Sequence, residues 1–167
     1  MLTFERETTV TASPESVYDL LADLDGHRSW KPFFQLSGSV DPGGDVMVNF
    51  FLGRGRKIST PADIVAAKRP HVFAWRFGEP WIFAIEERYT LAAAAGGGTS
   101  VVHCLRIMGL LAPLPALFVS RTLRRSLERS DTCLVDRLQK RQSIPSPAPT
   151  PATSRFRAKS PSRRRRR

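Results

Sequence analysis

Two hydrophobic periods follow one another near the start of the chain. Residues 2–10 alternate apolar and polar positions, which predicts a strand. The Ser-Pro-Glu segment at 13–15 then has the features of a helix start, namely a capping hydroxyl, a proline suited to the first turn and an acidic group at the positive end of the helix dipole. Apolar residues recur at helical spacing over 17–24, and Gly26 is expected to end the helix. A short second helix or turn is predicted at 27–30.

A period of two then dominates the pattern as far as residue 107, which predicts a series of strands. Pro61 interrupts one of them and is expected at a bulge or a sheet edge, because proline lacks a backbone N–H. The predicted strands are 45–52, 56–67, 71–78, 81–91 and 99–107. The positions expected to share one face are Val46, Val48, Phe50 and Leu52; Phe73, Trp75 and Phe77; Phe83, Ile85, Glu87, Tyr89 and Leu91; and Val101, His103, Leu105 and Ile107.

A long helix is predicted from about Pro113 to Arg141. Its leucine stripe consists of Leu123, Leu127, Leu134 and Leu138. The order of elements is therefore a strand, two short helices, a meander of about six strands, and one long helix, which is an α+β arrangement. A sheet of that size curls, and the long helix is the natural cover for its concave face. Because the helix offers leucines and polar residues rather than bulk, we expect a partly hollow core.

The charge of the chain is concentrated at its end. The net charge is +11, with 26 basic and 15 acidic residues, but eight of the basic residues and none of the acidic ones lie in 143–167. We therefore divide the chain into a nearly neutral domain, 1–142, and a Pro/Ser/Arg-rich tail, 143–167, expected to be disordered. The tail either contacts nucleic acid or an anionic membrane weakly, or is solvated without a partner. The residues for such contact are Arg163, Arg164, Arg165, Arg166 and Arg167.

Other features exclude several classes of protein. The start of the chain lacks the basic and apolar segments of a signal peptide. The longest apolar stretch, 107–119, is too short to span a bilayer and contains two prolines. Cys104 and Cys133 are far apart, and the three histidines have no metal-ligand spacing, so we expect free thiols, no metal and no cofactor. The expected location is the cytoplasm. The loop "GRGRK" at 53–57 is expected to be solvated, or else to receive an anionic head group at the rim of the core.

Two longer segments resemble a known family. They are "ASPESVYDLLADLDGHRSWKPF" and "ERYTLAAAAGGGTSVVHCLRIMGLLAPL". The matching positions are Ser13-Pro14-Glu15, Val17-Tyr18, Asp23 and Trp30-Lys31-Pro32 in the first, and Arg88-Tyr89, Gly98-Thr99, His103 and Gly109 in the second. Residues 1 to about 141 thus resemble the SRPBCC superfamily (START and Bet v 1-like proteins), in its bacterial polyketide cyclase/dehydrase and lipid-transport branch.

The resemblance implies a helix-grip fold, in which a curved antiparallel sheet of about six to seven strands wraps around the long C-terminal helix. It also implies a helix pair that supports the end of that helix, and a cavity between sheet and helix with Trp30 and Phe34 at its mouth. An aromatic-lined cavity suits a hydrophobic small molecule, either a lipid or a polyketide. The candidate ligand-binding residues are Trp30, Phe34, Phe50, Trp75, Phe77, Phe83, Glu87, Tyr89, Val101 and His103.

Two functions fit these expectations. The first is binding or carriage of a hydrophobic molecule, and the second is a polyketide cyclase, aromatase or dehydratase. An enzyme of this fold needs polar groups in the cavity to move protons, and here the candidates are few: Glu87, His103, Tyr89 and Asn49. The related branch often has a glutamate where this chain has Leu105, and its absence weakens the enzymatic interpretation. We therefore favour binding, with no catalytic residue assigned.

Glu87 and His103 form the sharpest hypothesis about the interior. If the 92–98 segment, "AAAAGGG", folds as a hairpin centred near Ala95, Glu87 lies directly opposite His103, and Tyr89 opposite Val101. The pair is then either a mutually satisfied polar pair or the polar anchor of a ligand; a register one residue away would place both on the outer face instead.

Overall fold

Seven antiparallel strands form one curved sheet, and a long helix lies on its concave side. This computed structural model describes residues 1–41, 44–52 and 56–143, without the side chains of 51, 52 and 113–120. The strands are β1 (Leu2–Val10), β2 (Gln35–Gly38), β3 (Val46–Leu52), β4 (Arg56–Lys68), β5 (Val72–Glu79), β6 (Phe83–Ala93) and β7 (Thr99–Met108). The helices are α1 (Pro14–Ala22), a 3-10 helix (Asp25–Ser29) and α2 (Pro113–Ser143). The sheet order is β1-β7-β6-β5-β4-β3-β2.

The helix-grip arrangement expected from the sequence is confirmed, with three differences in its elements. The short strand β2 was not predicted, because its four residues are too few to show a period. Helix α1 ends at Ala22, two residues early, because Asp23 leaves the helical conformation. Gly26 does not end α1 but lies inside the 3-10 helix. The predicted tail lies outside the described residues except for Ser143, which ends α2, and so does most of the "GRGRK" loop, residues 53–55.

Pro61 lies where β4 changes partners. Residues 56–62 of β4 pair with β3, and residues 63–68 pair with β5. Pro61 is opposite Met47 of β3, in the half of β4 for which no β5 pairing is described. The missing N–H therefore interrupts no pairing with β5, as an edge position requires. The β-bulge is at a different place, between Ile64 and Ala66.

The concave face carries the side chains that the period of two selected. Phe4, Leu105, Glu87 and Trp75 form a row across β1, β7, β6 and β5, and the next row contains His103, Tyr89 and Phe73. Two apolar clusters cover this face. The larger cluster contains the buried apolar residues of α1 together with Leu134 and Leu138 of α2. The smaller cluster contains Phe4 of β1, Leu105 and Ile107 of β7, and Leu127 of α2.

The first helical segment also holds the C-terminal end of α2. Arg141 lies 3.5 Å from Asp23, and Thr11 donates a hydrogen bond of 3.1 Å to Gln142. These contacts join residues that are far apart in sequence, and they agree with the expectation that the helix pair supports the long helix.

Candidate functional site

Four aromatic side chains form a cluster on the concave face, which we call the aromatic cluster: Phe34, Phe50, Trp75 and Phe77. Their ring centroids are 5.6–6.3 Å apart in a chain of edge-to-face, tilted and stacked pairs. Such geometries are favourable for aromatic pairs. Trp75 is wholly buried, whereas Phe34, Phe50 and Phe77 are only half-buried. The cluster therefore continues the buried core toward solvent.

The other apolar candidates lie around this cluster or apart from it. Phe83 is half-buried beside the smaller apolar cluster, and Val101 is buried in the larger one. The rings of Trp30 and His27 form an edge-to-face pair with a centroid distance of 5.5 Å. Trp30 also lines a small cleft together with Cys133 of α2. The recorded aromatic contact of Trp30 is with His27, and the expectation that Trp30 and Phe34 share the mouth of a cavity stays a prediction.

A buried network of charged groups lies beneath the aromatic cluster. Its centre is the carboxylate of Glu87, which accepts hydrogen bonds from Lys31 and, at 2.7 Å, from the indole N–H of Trp75. The hydroxyl of Tyr89 approaches the other carboxylate oxygen at 3.4 Å. Glu87 and Lys31 are both almost fully buried. A carboxylate can be kept charged in such a place only by this many donors.

His103 connects this centre to α2. Its Nε2 lies 3.0 Å from the carboxylate of Glu87, and its Nδ1 lies 2.6 Å from the carboxylate of Asp131. Since ionised carboxylates only accept hydrogen bonds, both ring nitrogens must donate, and the ring must be the imidazolium. Arg6 adds a further cation, 3.5 Å from the second oxygen of Asp131. The four buried groups then carry two positive and two negative charges.

The pKa shifts agree with this assignment. Burial by itself would raise the pKa of Glu87, but the charge of Lys31 and the hydrogen bonds from His103 and Lys31 outweigh it and lower that pKa well below its usual range. Burial would lower the pKa of His103, but its bonds to Asp131 and Glu87 raise it. Burial, and then the nearby Glu87, raise the pKa of Tyr89 well above its ordinary value. The phenol therefore remains a donor.

His27 is also a buried histidine, but its ring is neutral, unlike that of His103. Its Nε2 donates to the carbonyl of Leu21 at 2.8 Å, and its Nδ1 accepts from the backbone N–H of Leu36 at 3.2 Å. This pattern requires the neutral ring. Burial, followed by the nearby charge of Lys31, lowers the pKa of His27 to about 3. His27 thus fixes the segment that carries Lys31 against the end of α1.

The expected register of the β6–β7 hairpin was wrong by two residues. Tyr89, not Glu87, lies directly opposite His103, and Glu87 is opposite Leu105. Val101 is opposite Leu91 rather than Tyr89. A shift of two preserves the face on which each side chain lies, so Glu87 and His103 still meet, as diagonal neighbours.

Sequence reasoning missed two members of the network. Asp131 lies at a spacing of four from Leu127 and three from Leu134, so its place on the leucine stripe of α2 was a usable signal. Lys31 gave no periodic signal, because it lies between the 3-10 helix and β2. Asn49, considered as an inward group, lies instead on the opposite face, where it bonds to Gln35 and Ser59 of the adjacent strands.

Two clefts formed by described residues lie away from the aromatic cluster. One of about 350 Å³ lies between β1 and α2, and another of about 640 Å³ lies between the residues around β2–β3 and β4. The rings of the cluster pack against one another. Among the residues described, no group of three or more His, Cys, Asp and Glu side chains is arranged to hold a metal ion.

Comparison with known proteins identifies the family. The family described as polyketide cyclase / dehydrase and lipid transport matches residues 1–142. The chain belongs to this family. No curated protein gives a significant sequence match. The membership and the START-like fold together suggest that the domain binds a hydrophobic ligand.

Solved structures share the fold at low sequence identity. A START superfamily protein from Mycobacterium smegmatis has a TM-score of 0.67 at 14% identity, covering 83% of this chain and 97% of its own. A protein from Thermus thermophilus has a TM-score of 0.66 at 19% identity, covering 85% and 100%. The di-domain ARO/CYC protein StfQ of the steffimycin biosynthetic pathway has a TM-score of 0.66 at 11% identity, covering 85% and 52%. At these identities the likeness is one of fold.

In the part of the chain that the structure describes, no helix combines the length and the apolar character needed to cross a bilayer.

Proposed function

We propose that the domain binds one lipid- or polyketide-like molecule on the concave face, against the aromatic cluster. The observation behind the proposal is that Phe34 and Phe77 pack against the apolar core and Phe50 packs against both of them, yet all three rings are only half-buried. Leaving such rings partly in water forgoes the free energy of burying them, about 25 cal/mol per Å² of apolar surface. An apolar ligand that covers them recovers that free energy.

The position of the cluster favours the same role. Phe34 and Phe77 pack against both apolar clusters of the core, so they occupy the junction between them. Phe34 belongs to the connection between the 3-10 helix and β2, which is free of the pairing that fixes the strands. Its displacement would open the junction without breaking the sheet.

The buried network argues for binding without chemistry. A general acid or base must reach the substrate with an exchangeable proton. Both oxygens of Glu87 and both ring nitrogens of His103 are already occupied by protein groups. The ligand would therefore be held by apolar contact, with the network as the closed floor of the site rather than as its polar anchor.

A fluorescent naphthalene sulfonate tests the proposal. Titration of the folded protein should give saturable binding with about one probe per chain, and a fatty acid or aromatic polyketide should displace it. Phe77→Asp should weaken probe binding by about tenfold or more, because a carboxylate in the cluster must be desolvated when the probe binds. Thr90→Asp, an exposed position on β6, is the matched control and should bind as the unmodified protein does.

A second variant tests whether the network anchors a polar ligand. His103→Leu should leave the relative affinities for naphthol and naphthalene unchanged in the folded protein. A selective loss of naphthol binding, by about 1–3 kcal/mol, would instead make His103 the anchor of a ligand hydroxyl. Absence of probe, fatty-acid and polyketide binding to the unmodified protein would refute the proposed function.

A further inference from the structure

Large apolar side chains are exposed together at one end of the domain. Trp81 is 68% exposed, Leu110 82%, Leu111 47% and Ile82 36%. Apart from Met1, these are the exposed large apolar residues among the side chains that the structure describes. We call them the apolar tip. Scattered exposed apolar residues are ordinary on a protein surface, but a concentration of this kind marks an interaction site.

The apolar tip is a built surface, because its two loops are joined by backbone hydrogen bonds. The N–H of Leu110 donates to the carbonyl of Trp81 at 3.1 Å, and the N–H of Leu111 donates to that of Ile82 at 3.0 Å. Gly109 makes this approach possible. Its φ is +104°, and a β-carbon there would overlap the backbone of Ile82. The β5–β6 hairpin and the β7–α2 connection therefore present their apolar side chains as one unit.

Basic residues lie at the same end of the sheet as the apolar tip and further along α2. In an antiparallel meander the β3–β4, β5–β6 and β7–α2 connections all lie at the same end of the sheet, so exposed Arg56 and Lys57 at the start of β4 lie at the end that bears the tip. Helix α2 starts directly after the tip and carries exposed Arg121, Arg124 and Arg125. At 1.5 Å per residue, Arg121 is roughly 12 Å along the helix from its first residue. The two loops that form the tip, residues 79–82 and 109–112, contain one acidic side chain, that of Glu79.

We propose that the apolar tip docks on the surface of an anionic lipid membrane. Tryptophan favours the membrane interface, where its ring is apolar and its N–H can meet water or head groups. The leucines and the isoleucine would enter the acyl boundary, and the lysine and arginines behind them would approach the anionic head groups. The combination of inserted apolar residues and surrounding cations complements a lipid surface in both chemistry and charge.

The contact is distinct from the ligand site and from the basic tail. Phe77 and Phe83 flank the hairpin that carries Trp81, so docking would bring the open side of the aromatic cluster toward the lipid. The docking itself does not depend on a bound ligand. Empty vesicles test it separately from the proposed function, and replacing the arginines at 163–167 by serine in the full chain separates it from the tail.

The intrinsic fluorescence of the chain supplies the measurement. Of the three tryptophans, Trp30 and Trp75 are buried, so a spectral shift on docking reports on Trp81. Vesicles of phosphatidylcholine with phosphatidylglycerol should shift the tryptophan emission of the full chain to shorter wavelength. The full chain should also sediment together with these vesicles. The variant with serine at 163–167 should keep the shift. Pure phosphatidylcholine should bind much more weakly.

Leu110→Ser should lower partition into the anionic vesicles by about tenfold, as expected for the loss of one buried leucine side chain. Ala92→Ser, exposed toward the opposite end of β6, should change nothing. The proposal is overturned if the shift is absent, if it disappears with the arginines at 163–167, or if Leu110→Ser binds like the unmodified protein. It is also overturned if the chain self-associates through the tip, seen as a dimer that Leu110→Ser dissociates while vesicles are not bound.

Discussion

Lys31 donates a hydrogen bond to Glu87 at the centre of the sheet, and their side chains are only 1% and 3% exposed. The ammonium group also lies 5.3 Å from the ring centroid of Tyr89 and 5.6 Å from that of Trp75. Removing two charges from water is expensive, and here donors and aromatic faces offset the cost. The pair joins the segment after the 3-10 helix to the middle of β6.

Loss of the lysine charge should strongly destabilise the fold. Lys31→Met keeps the apolar stem but leaves the Glu87 carboxylate buried without its main counter-charge. We expect the free energy of unfolding to fall by about 3–5 kcal/mol, measured by urea denaturation at pH 7. Lys57→Met, at an exposed position on β4, should change it by less than about 0.5 kcal/mol. Equal small losses in both variants would show that the buried pair contributes little.

The raised pKa of His103 predicts a loss of stability toward alkaline pH. The pKa of the His103 ring is higher in the folded chain than in the unfolded chain. The charged ring therefore contributes fully to the free energy of unfolding below about pH 6.5, and this contribution is lost as the pH rises through the folded pKa. Urea denaturation between pH 6.5 and 8.5 should show this decline, and His103→Gln should not. Titration of the His103 ring by NMR gives the pKa directly. A value below 6.5 would contradict the imidazolium assignment.

The lowered pKa of His27 predicts a loss of stability in the opposite direction. Between pH 6.5 and about 3, the unfolded chain binds a proton at this ring and the folded chain does not. The free energy of unfolding therefore decreases as the pH is lowered. From pH 7 to pH 5 the loss attributable to His27 is about 2 kcal/mol. Comparison with His27→Gln over that range measures it. The range lies above the ordinary pKa of Glu87, whose contribution is lost only at lower pH. An identical pH slope in both proteins would count against the buried neutral ring.

Gly109 should tolerate no side chain. Gly109→Ala combines an unfavourable positive φ with overlap against the backbone of Ile82, so we expect a loss of more than about 2 kcal/mol and separation of the two loops of the apolar tip. Gly96→Ala is the matched control, since its φ of +91° is also positive but nothing lies within 4 Å of a β-carbon there. The difference between the two variants in thermal denaturation isolates the overlap. No difference would mean that the loops separate at negligible cost.

Local patterns in the sequence were sufficient to predict which side chains face the concave side. A period of two places Phe73, Trp75 and Phe77 on one face whatever the neighbouring strand is, because strand geometry is local. The capped start of α1 was equally local, and Ser13 does accept the backbone N–H of Ser16. The same holds for the leucine stripe of α2, which places Leu127, Leu134 and Leu138 in the core.

The pairing register of β6 and β7 could not be predicted from the local sequence pattern. It depends on how the glycine-rich turn closes, and here Ala94 and Gly98 form the closing hydrogen bond, with positive φ at three successive glycines, 96–98. The sequence contained the glycines but not their conformations. A centre displaced by one residue moved every cross-strand partner by two, while leaving each side chain on its predicted face.

The polar character of the interior depends on packing between distant parts of the chain. The buried charges of Lys31, Glu87, His103 and Asp131 come from four separate elements, and each is tolerable only in the presence of the others. Burial of a charge depends on counter-charges that arrive from distant parts of the chain, and no local pattern contains that information. Periodicity therefore placed the aromatic and leucine residues, whereas the three-dimensional packing determined that the polar groups among them form one connected network.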